Sequence, residues 1–393
     1  MISVAEAQAR LLALASPLPP VELELTKAAR HYLHGPLHSK RTQPAADLSA
    51  MDGYALSSAA FPGPWQVIGE SAAGRPFAGI LEQNQAVRIF TGAHVPVGAD
   101  TILIQEDAAR DGDTLMATAK DALAPDMHIR TAGGDFSSGD TVLATGTMLE
   151  AGPCALAAMA GHGTVRVGHW PHVTIVGTGD ELLPPGIECS PAQIPSSNSP
   201  MLHAMLSNIP CKIMDAGIIA DKLTDLETRL SALASTTDII VTTGGASVGD
   251  HDLVQTALRN IGADMDFWKV AMRPGKPVMA GKIGNTIVLG LPGNPSSAFV
   301  TAFLFLLPLI RHMAGSLSPL PEVFEAKADN ALFPGGSRTE YLRARVEGGA
   351  ITAFTSRDSG LVSPLSHSNA LIIRDIDTPA TPSGAVVQYH RLF

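Results

Sequence analysis

The spacing of apolar side chains changes along the chain, and each change marks a different kind of structure. Between residues 3 and 33 they recur at helical intervals, and Pro17, Pro19 and Pro20 interrupt the pattern, so helix is expected there with a break at the prolines. From about residue 40 to 150, short β-prone runs (65–68, 86–91, 101–105, 114–119 and 127–130) alternate with Gly, Pro and Asp turns. That rhythm predicts a small all-β module. An Ala-rich helix over 152–163 and a strand over 164–167 follow. Beyond Pro171, apolar strands (172–176, 212–219, 239–243, 266–272 and 286–289) alternate with helices (199–207, 221–234, 252–260 and 296–313). Such alternation indicates a doubly wound, mostly parallel sheet. The last 75 or so residues return to short strands and turns, a second β-module.

Length and composition narrow the class. A chain of 393 residues suits roughly two to four domains, each with its own core. Charged residues are scarce at 16% and apolar ones reach 45%, which excludes a wholly disordered chain. The net charge of −10 gives no overall basic footprint for nucleic acid. The longest apolar stretch, 298–310, is interrupted by Thr301 and Pro308 and is too short for a span of about 20 residues, so it reads as a core helix and no membrane partner is expected. Cys154, Cys189 and Cys211 form no CxxC pair, which argues against a disulfide framework or a Cys-based zinc site and for a reducing compartment, the cytoplasm.

Candidate chemistry gathers where the strands of the α/β region end, because open α/β sheets bind ligands outside their carboxyl edge. Three glycine-rich turns follow strands there: Gly177-Thr-Gly-Asp-Glu181, the 242–249 run TTGGASVG, and the 289–295 run LGLPGNP. Glycine lets a backbone approach a ligand closely, and exposed N–H groups at such turns suit phosphate or another oxyanion. None is a P-loop or a dinucleotide fingerprint. Asp180 and Glu181 lie on the first turn, Asp250 and Asp252 just after the second. Acids beside an oxyanion site make sense if Mg²⁺ bridges carboxylate to phosphate. Asp250 or Asp252 could equally cap the following helix. Arg273-Pro-Gly-Lys276-Pro places two cations on a tight turn, a clamp for a small oxyanion or simply a solvated turn. The turns around Asp52, Thr91 and Asp135 read, from physics alone, as hairpin connections. His31, His34 and His38 flank the helix-breaking Gly35-Pro36, so packed or solvated histidines are expected there rather than a metal set.

Taken together, SAMDGYA (49–55), RIFTGAHVPVGAD (88–100), AGGDFSSGD (132–140), TGDEL (178–182), TTGGASVGDHD (242–252), RPGKP (273–277) and LPGNP (291–295) resemble the molybdopterin molybdenumtransferase family, which includes the C-terminal domain of gephyrin. The resemblance implies a homodimer of four-domain chains: 1–45 with 138–170 as a discontinuous, partly helical N-terminal domain, 46–137 as an inserted β-rich domain, 171–316 as the α/β domain and 317–393 as a small β-barrel. It implies insertion of molybdenum from molybdate into adenylylated molybdopterin, with release of AMP and help from Mg²⁺ or another divalent cation. Carried over by motif, Asp52, Thr91 and Asp135 enter from the inserted domain. Asp180, Glu181 and Asp252 hold cation or adenylate. Gly179, Asp238, Gly244, Gly245, Ser247, Gly249, Asp250, Arg273, Lys276, Pro292, Gly293, Asn294 and Pro295 contact the substrates, and Arg338, Arg343 and Ser363 match more loosely. Many family members carry Lys where Arg273 stands and Asn where Leu48 stands. The molybdopterin adenylyltransferase and molybdoenzyme chaperones are the transient partners to expect. Two other functions fit the same α/β domain: adenylyl transfer to molybdopterin, for which 40–150 would be superfluous, and a non-catalytic scaffold, which would not need the acidic set.

Overall fold

The computed structural model describes residues 1–244, 253–356 and 358–392. The first helix, Val4–Leu14, opens on Ser3, whose hydroxyl accepts a hydrogen bond from the Glu6 amide at 3.1 Å. It ends before the prolines, and the helical expectation fails beyond them. Val21–Glu24 is a strand, paired antiparallel with Thr164–Val167, and only a single 3₁₀ turn, Leu25–Lys27, follows. The prolines force extended backbone, and the VELE stretch then alternates with a period of two. A second departure concerns where the helix packs. Ala7 and Leu11 are buried in the core of the α/β domain, and the Gln8 side chain donates to Leu304 O at 2.8 Å. The discontinuous N-terminal unit is built without it, from Leu33 and Leu37 of the first segment and Leu143, Leu149, Val165 and Val167 of the second.

The inserted module carries a mixed sheet in the order Thr101–Ile104, Gly53–Leu56, Gln85–Ile89, Trp65–Ser71, Thr114–Ala117, Ala108–Asp111. Four of its strands fall on the β-prone runs of the sequence, with Trp65, Leu103 and Leu115 turned into one core; Gly53–Leu56 and Ala108–Asp111 fall outside those runs, and Ile129–Arg130 pairs with Leu48–Ser49 instead.

The α/β domain is a six-stranded sheet in the order Lys212–Ile219, His172–Thr178, Ile239–Thr243, Thr286–Leu291, Pro277–Ile283, Asp264–Lys269. Pro277–Ile283 runs against the others; the rest are parallel. Helices Asn198–Leu206 and Pro295–Met313 cover one face, and Leu223–Ala234 and Leu253–Asn260 the other. The sequence pattern missed the strand Pro277–Ile283, whose Gly281 and Lys282 interrupt the apolar run. Pro295–Met313 is apolar and long enough to cross a membrane, but 89% of its apolar window is buried in this core. Ahead of Pro308, which has no N–H to donate, residues Ala302–Leu306 relax into a π turn.

The C-terminal region closes a five-stranded barrel. Thr339–Glu347 pairs with Ala350–Ala353 and Ala370–Arg374, Phe324–Ala328 with Ala350–Ala353 and Val386–Arg391, and Ala370–Arg374 with Val386–Arg391. Met272–Arg273, from the α/β domain, adds in parallel to Thr339 and Glu340. Main-chain pairing thereby ties the barrel to the basic turn.

Candidate active site

The first and third glycine turns and the described start of the second, Thr242–Gly244, meet at the carboxyl edge of the sheet. Their parent strands, His172–Thr178, Ile239–Thr243 and Thr286–Leu291, are adjacent and parallel, so their loops leave side by side. The Gly244 amide donates to Leu291 O at 3.2 Å, joining the second turn to the third. Gly244 has φ +95°, and a Cβ there would stand 2.6 Å from Thr178 O, so only glycine lets the first two turns close on each other. A Cβ on Gly293 would lie 3.7 Å from the Gly244 Cα. The Asn198 side chain donates to Gly293 O at 2.7 Å and fixes the third turn from the start of its helix. Asn294 precedes the long core helix and its carbonyl accepts from the Ala298 amide at 2.8 Å, while Pro295 occupies the first helical position, where a missing N–H costs nothing. Pro292 lies half-buried between these anchors. Among the described residues, Thr242 Oγ1, Asn198 Oδ1 and Asn294 Oδ1 are buried without a hydrogen-bond partner, which leaves polar capacity at this edge.

Carboxylates occupy the first turn. The Glu181 side chain folds back over Gly179, with Oε2 2.5 Å from where a Cβ on that glycine would be. Asp180 Oδ1 accepts from the Asp221 amide at 3.0 Å. Burial and the adjacent charges of Asp180 and Glu181 raise the Asp221 carboxyl above its ordinary range. Asp221 is an acid of this edge that none of the motifs contains. It precedes helix Leu223–Ala234, and its sequence signal is an acid two residues past a strand end, the same position that Asp180 holds after Thr178. Among the described residues no three His, Cys, Asp or Glu side chains are arranged to hold a metal by themselves. Gly245, Ser247, Gly249, Asp250 and Asp252 lie outside the described residues.

The basic turn sits beyond the third glycine turn. Gly275, at φ +98°, packs against the core helix: a Cβ there would lie 2.4 Å from Thr301 Oγ1 and 3.6 Å from Ser297 O. Lys276 is exposed. Arg273 is not a free cation. Its Nη1 lies 3.6 Å from Glu340 Oε1, and Glu340 is only 5% exposed. A small cleft of about 30 Å³ between turn and barrel is lined by Arg273, Arg343, Ser356 and Ser359. Arg343 is buried and spends its guanidinium on the barrel's own loop, donating to Leu361 O, Ser356 O and Asp358 O at 2.8, 2.8 and 2.9 Å. It also reaches Ser296 Oγ at 3.2 Å, so that loop is held against the start of the core helix.

Other candidates lie apart from this centre in the fold. Asp52 and Thr91 are paired with each other inside the inserted module: Asp52 Oδ1 accepts from the Thr91 amide at 2.7 Å and from its hydroxyl at 2.8 Å. Those two donors, with Arg88 nearby, hold the Asp52 carboxyl below its usual range. Asp135 is exposed, on a turn whose amides bond to Gln43 O. Asp238 is not brought to the glycine turns. It stands at the amino end of Ile239–Thr243, where its carboxylate accepts from the His172 amide at 2.7 Å, and so faces the opposite edge of the sheet. His31 stacks on Trp170 at 4.6 Å, and burial lowers its pKa. His38 meets the Thr141 hydroxyl.

Comparison with known proteins covers nearly the whole chain. Three family descriptions match in order: "MoeA N-terminal region (domain I and II)" over residues 2–161, "Probable molybdopterin binding domain" over 174–312 and "MoeA C-terminal region (domain IV)" over 325–392. The chain is 32% identical to the molybdopterin molybdenumtransferase of Haemophilus influenzae, covering 98% of both sequences. It is also 32% identical to that of a Nostoc species, covering 92% of this chain and 86% of the relative. A molybdopterin biosynthesis moeA protein from Pyrococcus horikoshii OT3 has the same fold, with a TM-score of 0.85 at 24% identity over 100% of both chains.

Proposed function

Because the chain belongs to the molybdopterin molybdenumtransferase family of enzymes, we infer that it inserts molybdenum from molybdate into adenylylated molybdopterin and releases AMP. The observation that carries this reading is the meeting of three glycine turns at one sheet edge, with carboxylates on the first turn and the basic turn beyond the third. Backbone N–H groups of those turns bind the phosphates. Lys276 and Arg273 take the tetrahedral dianion, Lys276 as a point charge and Arg273 through the fork nitrogens left over from Glu340. Asp180 and Glu181 suit Mg²⁺, which commonly uses one or two carboxylates and completes its shell with water and substrate phosphate. When bound, that cation supplies positive charge to the phosphate oxygens. Asp52, Thr91 and Asp135 act from the inserted module of the second chain of a homodimer, whose hydrogen-bonded Asp52–Thr91 pair is built to present a fixed charge.

The test is AMP release from purified adenylylated molybdopterin, with and without molybdate. Release should require molybdate and a divalent cation. Consumption of ATP with molybdopterin would instead identify an adenylyltransferase, and neither activity would leave a scaffold.

A further inference from the structure

We propose that the groove beside the edge strand Lys212–Ile219 seats the pterin ring of the substrate, and that Asp215 reads that ring's amino–imino edge. The proposal rests on the functional reading above and names a subsite for it. The groove measures about 700 Å³, within the range of roughly 300–1,000 Å³ typical of small-molecule sites. Its walls are Leu182, Pro184, Pro185, Pro200, Ala204 and Ile218, apolar apart from a few polar groups.

One of those polar groups, Asp215, is held in place before any ligand arrives. The edge strand slips its register against His172–Thr178 between Ile175 and Gly177, and Gly217 adopts φ +76°. Such an irregularity bends the strand locally and breaks its pairing. Asp215 is the last residue in register before the slip, opposite Ile175, and is exposed on the side of helix Asn198–Leu206; the slip brings the Gly217 amide round to it, so that one carboxylate oxygen accepts from that amide at 2.8 Å. The other accepts from the Ser199 hydroxyl, which reaches over from helix Asn198–Leu206. A carboxylate has about four acceptor sites, so two remain after both bonds are made. Fixed orientation with spare acceptor capacity is the arrangement a recognition site needs.

The groove also borders the first glycine turn, where Leu182 of its wall follows Glu181. The Ile194 amide donates to Glu181 O at 2.8 Å, and a Cβ on Gly177 would lie 3.7 Å from Ser196 Oγ and 3.5 Å from Ile218. A ligand with its ring in the groove can therefore run its phosphates along the same edge. Donor pattern selects the ring. A carboxylate only accepts hydrogen bonds. The 2-amino-4-oxopyrimidine edge of a pterin offers two adjacent N–H donors. The amino edge of adenine offers one donor beside an acceptor nitrogen, which a carboxylate oxygen repels. Asp215 thus favours the pterin end of adenylylated molybdopterin over the adenine end.

The experiment uses the full chain and 6-hydroxymethylpterin, followed by the pterin's own fluorescence, with AMP titrated separately. Asp215→Asn turns a donor toward the donor edge and should weaken pterin binding by about tenfold or more, the scale of losing hydrogen bonds to a charged group. AMP binding should stay as in the wild type. Ser199→Ala, which releases one side of the carboxylate without touching the ring, should weaken pterin by less and also spare AMP; it serves as the second variant if Asp215→Asn folds poorly. Pterin affinity unchanged in both variants, AMP weakened in place of pterin, or no pterin binding by the wild type at millimolar concentration overturns the proposal. Loss of pterin binding in the variants of a chain that shows no molybdate-dependent AMP release would sustain the subsite and sink only the functional reading.

Discussion

Replacing Arg273 by Ala removes the cation that faces a carboxylate only 5% exposed. At 3.6 Å the gross attraction is on the order of 4–5 kcal/mol at an effective dielectric of about 20. Removing one partner of a fully buried pair costs about 3–5 kcal/mol, whereas exposed pairs contribute about 0–1 kcal/mol. Arg273 is 44% exposed, so solvent screens its side of the pair, and a loss of about 1–2 kcal/mol is the reasonable middle. The loss should appear at the junction of turn and barrel. There the Thr339 amide donates to Ala271 O at 2.9 Å, beside the paired residues Met272 and Arg273. Hydrogen exchange at that amide should speed up by about 5–30-fold, while amides in the sheet of the inserted module stay unchanged. Glu340→Gln on the Arg273→Ala background removes the carboxylate charge that Arg273 faced and should restore much of the protection, with a coupling of about 1 kcal/mol in the double-mutant cycle. Strictly additive effects of the two substitutions would refute the ion-pair argument, because uncoupled residues cannot be holding each other.

Glu181→Gln keeps the side chain's size but removes the charge over Gly179, and should lower AMP release by about a hundredfold at saturating cation with folding intact; turnover equal to wild type would remove Glu181 from the site. Burial pushes the Cys211 thiol from its ordinary 9.0 up to about 12, so the folded chain keeps a proton that the unfolded chain loses. That contribution to stability is full below about pH 9 and declines as pH rises toward about 12; urea melts at neutral and alkaline pH should show a shallower decline for Cys211→Ala, and identical slopes would exclude the thiol. If Asp52 and Glu181 complete each other's site across a homodimer, each alanine variant should be inactive alone. Randomly mixed dimers should regain roughly a quarter of wild-type activity, because about half of them contain one undamaged site; inactive mixtures with proven subunit exchange would place the site within one chain.

Much of this architecture was legible because periodicity and burial coincide. Ile239–Thr243 is buried throughout, and the pattern located that strand without knowledge of its neighbours. Residues 21–24 were misread as helix because VELEL fits both periods in so short a window, and only the distant partner Thr164–Val167 decides between them. Pro277–Ile283 was lost for a related reason: its glycine and lysine are tolerated by the strands on either side, which no local window contains. The glycine turns could be found from composition, but Asp221 could not be separated from an ordinary helix-starting acid until its amide was seen bonded to Asp180. Asp238 is the reverse case. It is close in sequence to the second glycine turn, yet five strand residues carry the chain to the far edge of the sheet between the two.

Strand direction also explains why the basic turn belongs with the glycine turns. Pro277–Ile283 is antiparallel to both Thr286–Leu291 and Asp264–Lys269, so the two flanking strands are parallel to each other. Asp264–Lys269 therefore ends at the same sheet edge as the strands that feed the three glycine turns, and Arg273 and Lys276 follow within a few residues of that end. With neighbouring strands about 4.8 Å apart, the line from His172–Thr178 to Asp264–Lys269 spans four spacings, about 19 Å. The acids on the first glycine turn lie at one end of that line, the cations at the other and the second and third glycine turns between, so an extended ligand with phosphates at its middle can meet both. If Pro277–Ile283 were parallel like its neighbours, the chain would have to cross the sheet between residues 269 and 277, and a connection of that length cannot do so. The one reversed strand is what lets a short turn carry both cations at the binding edge.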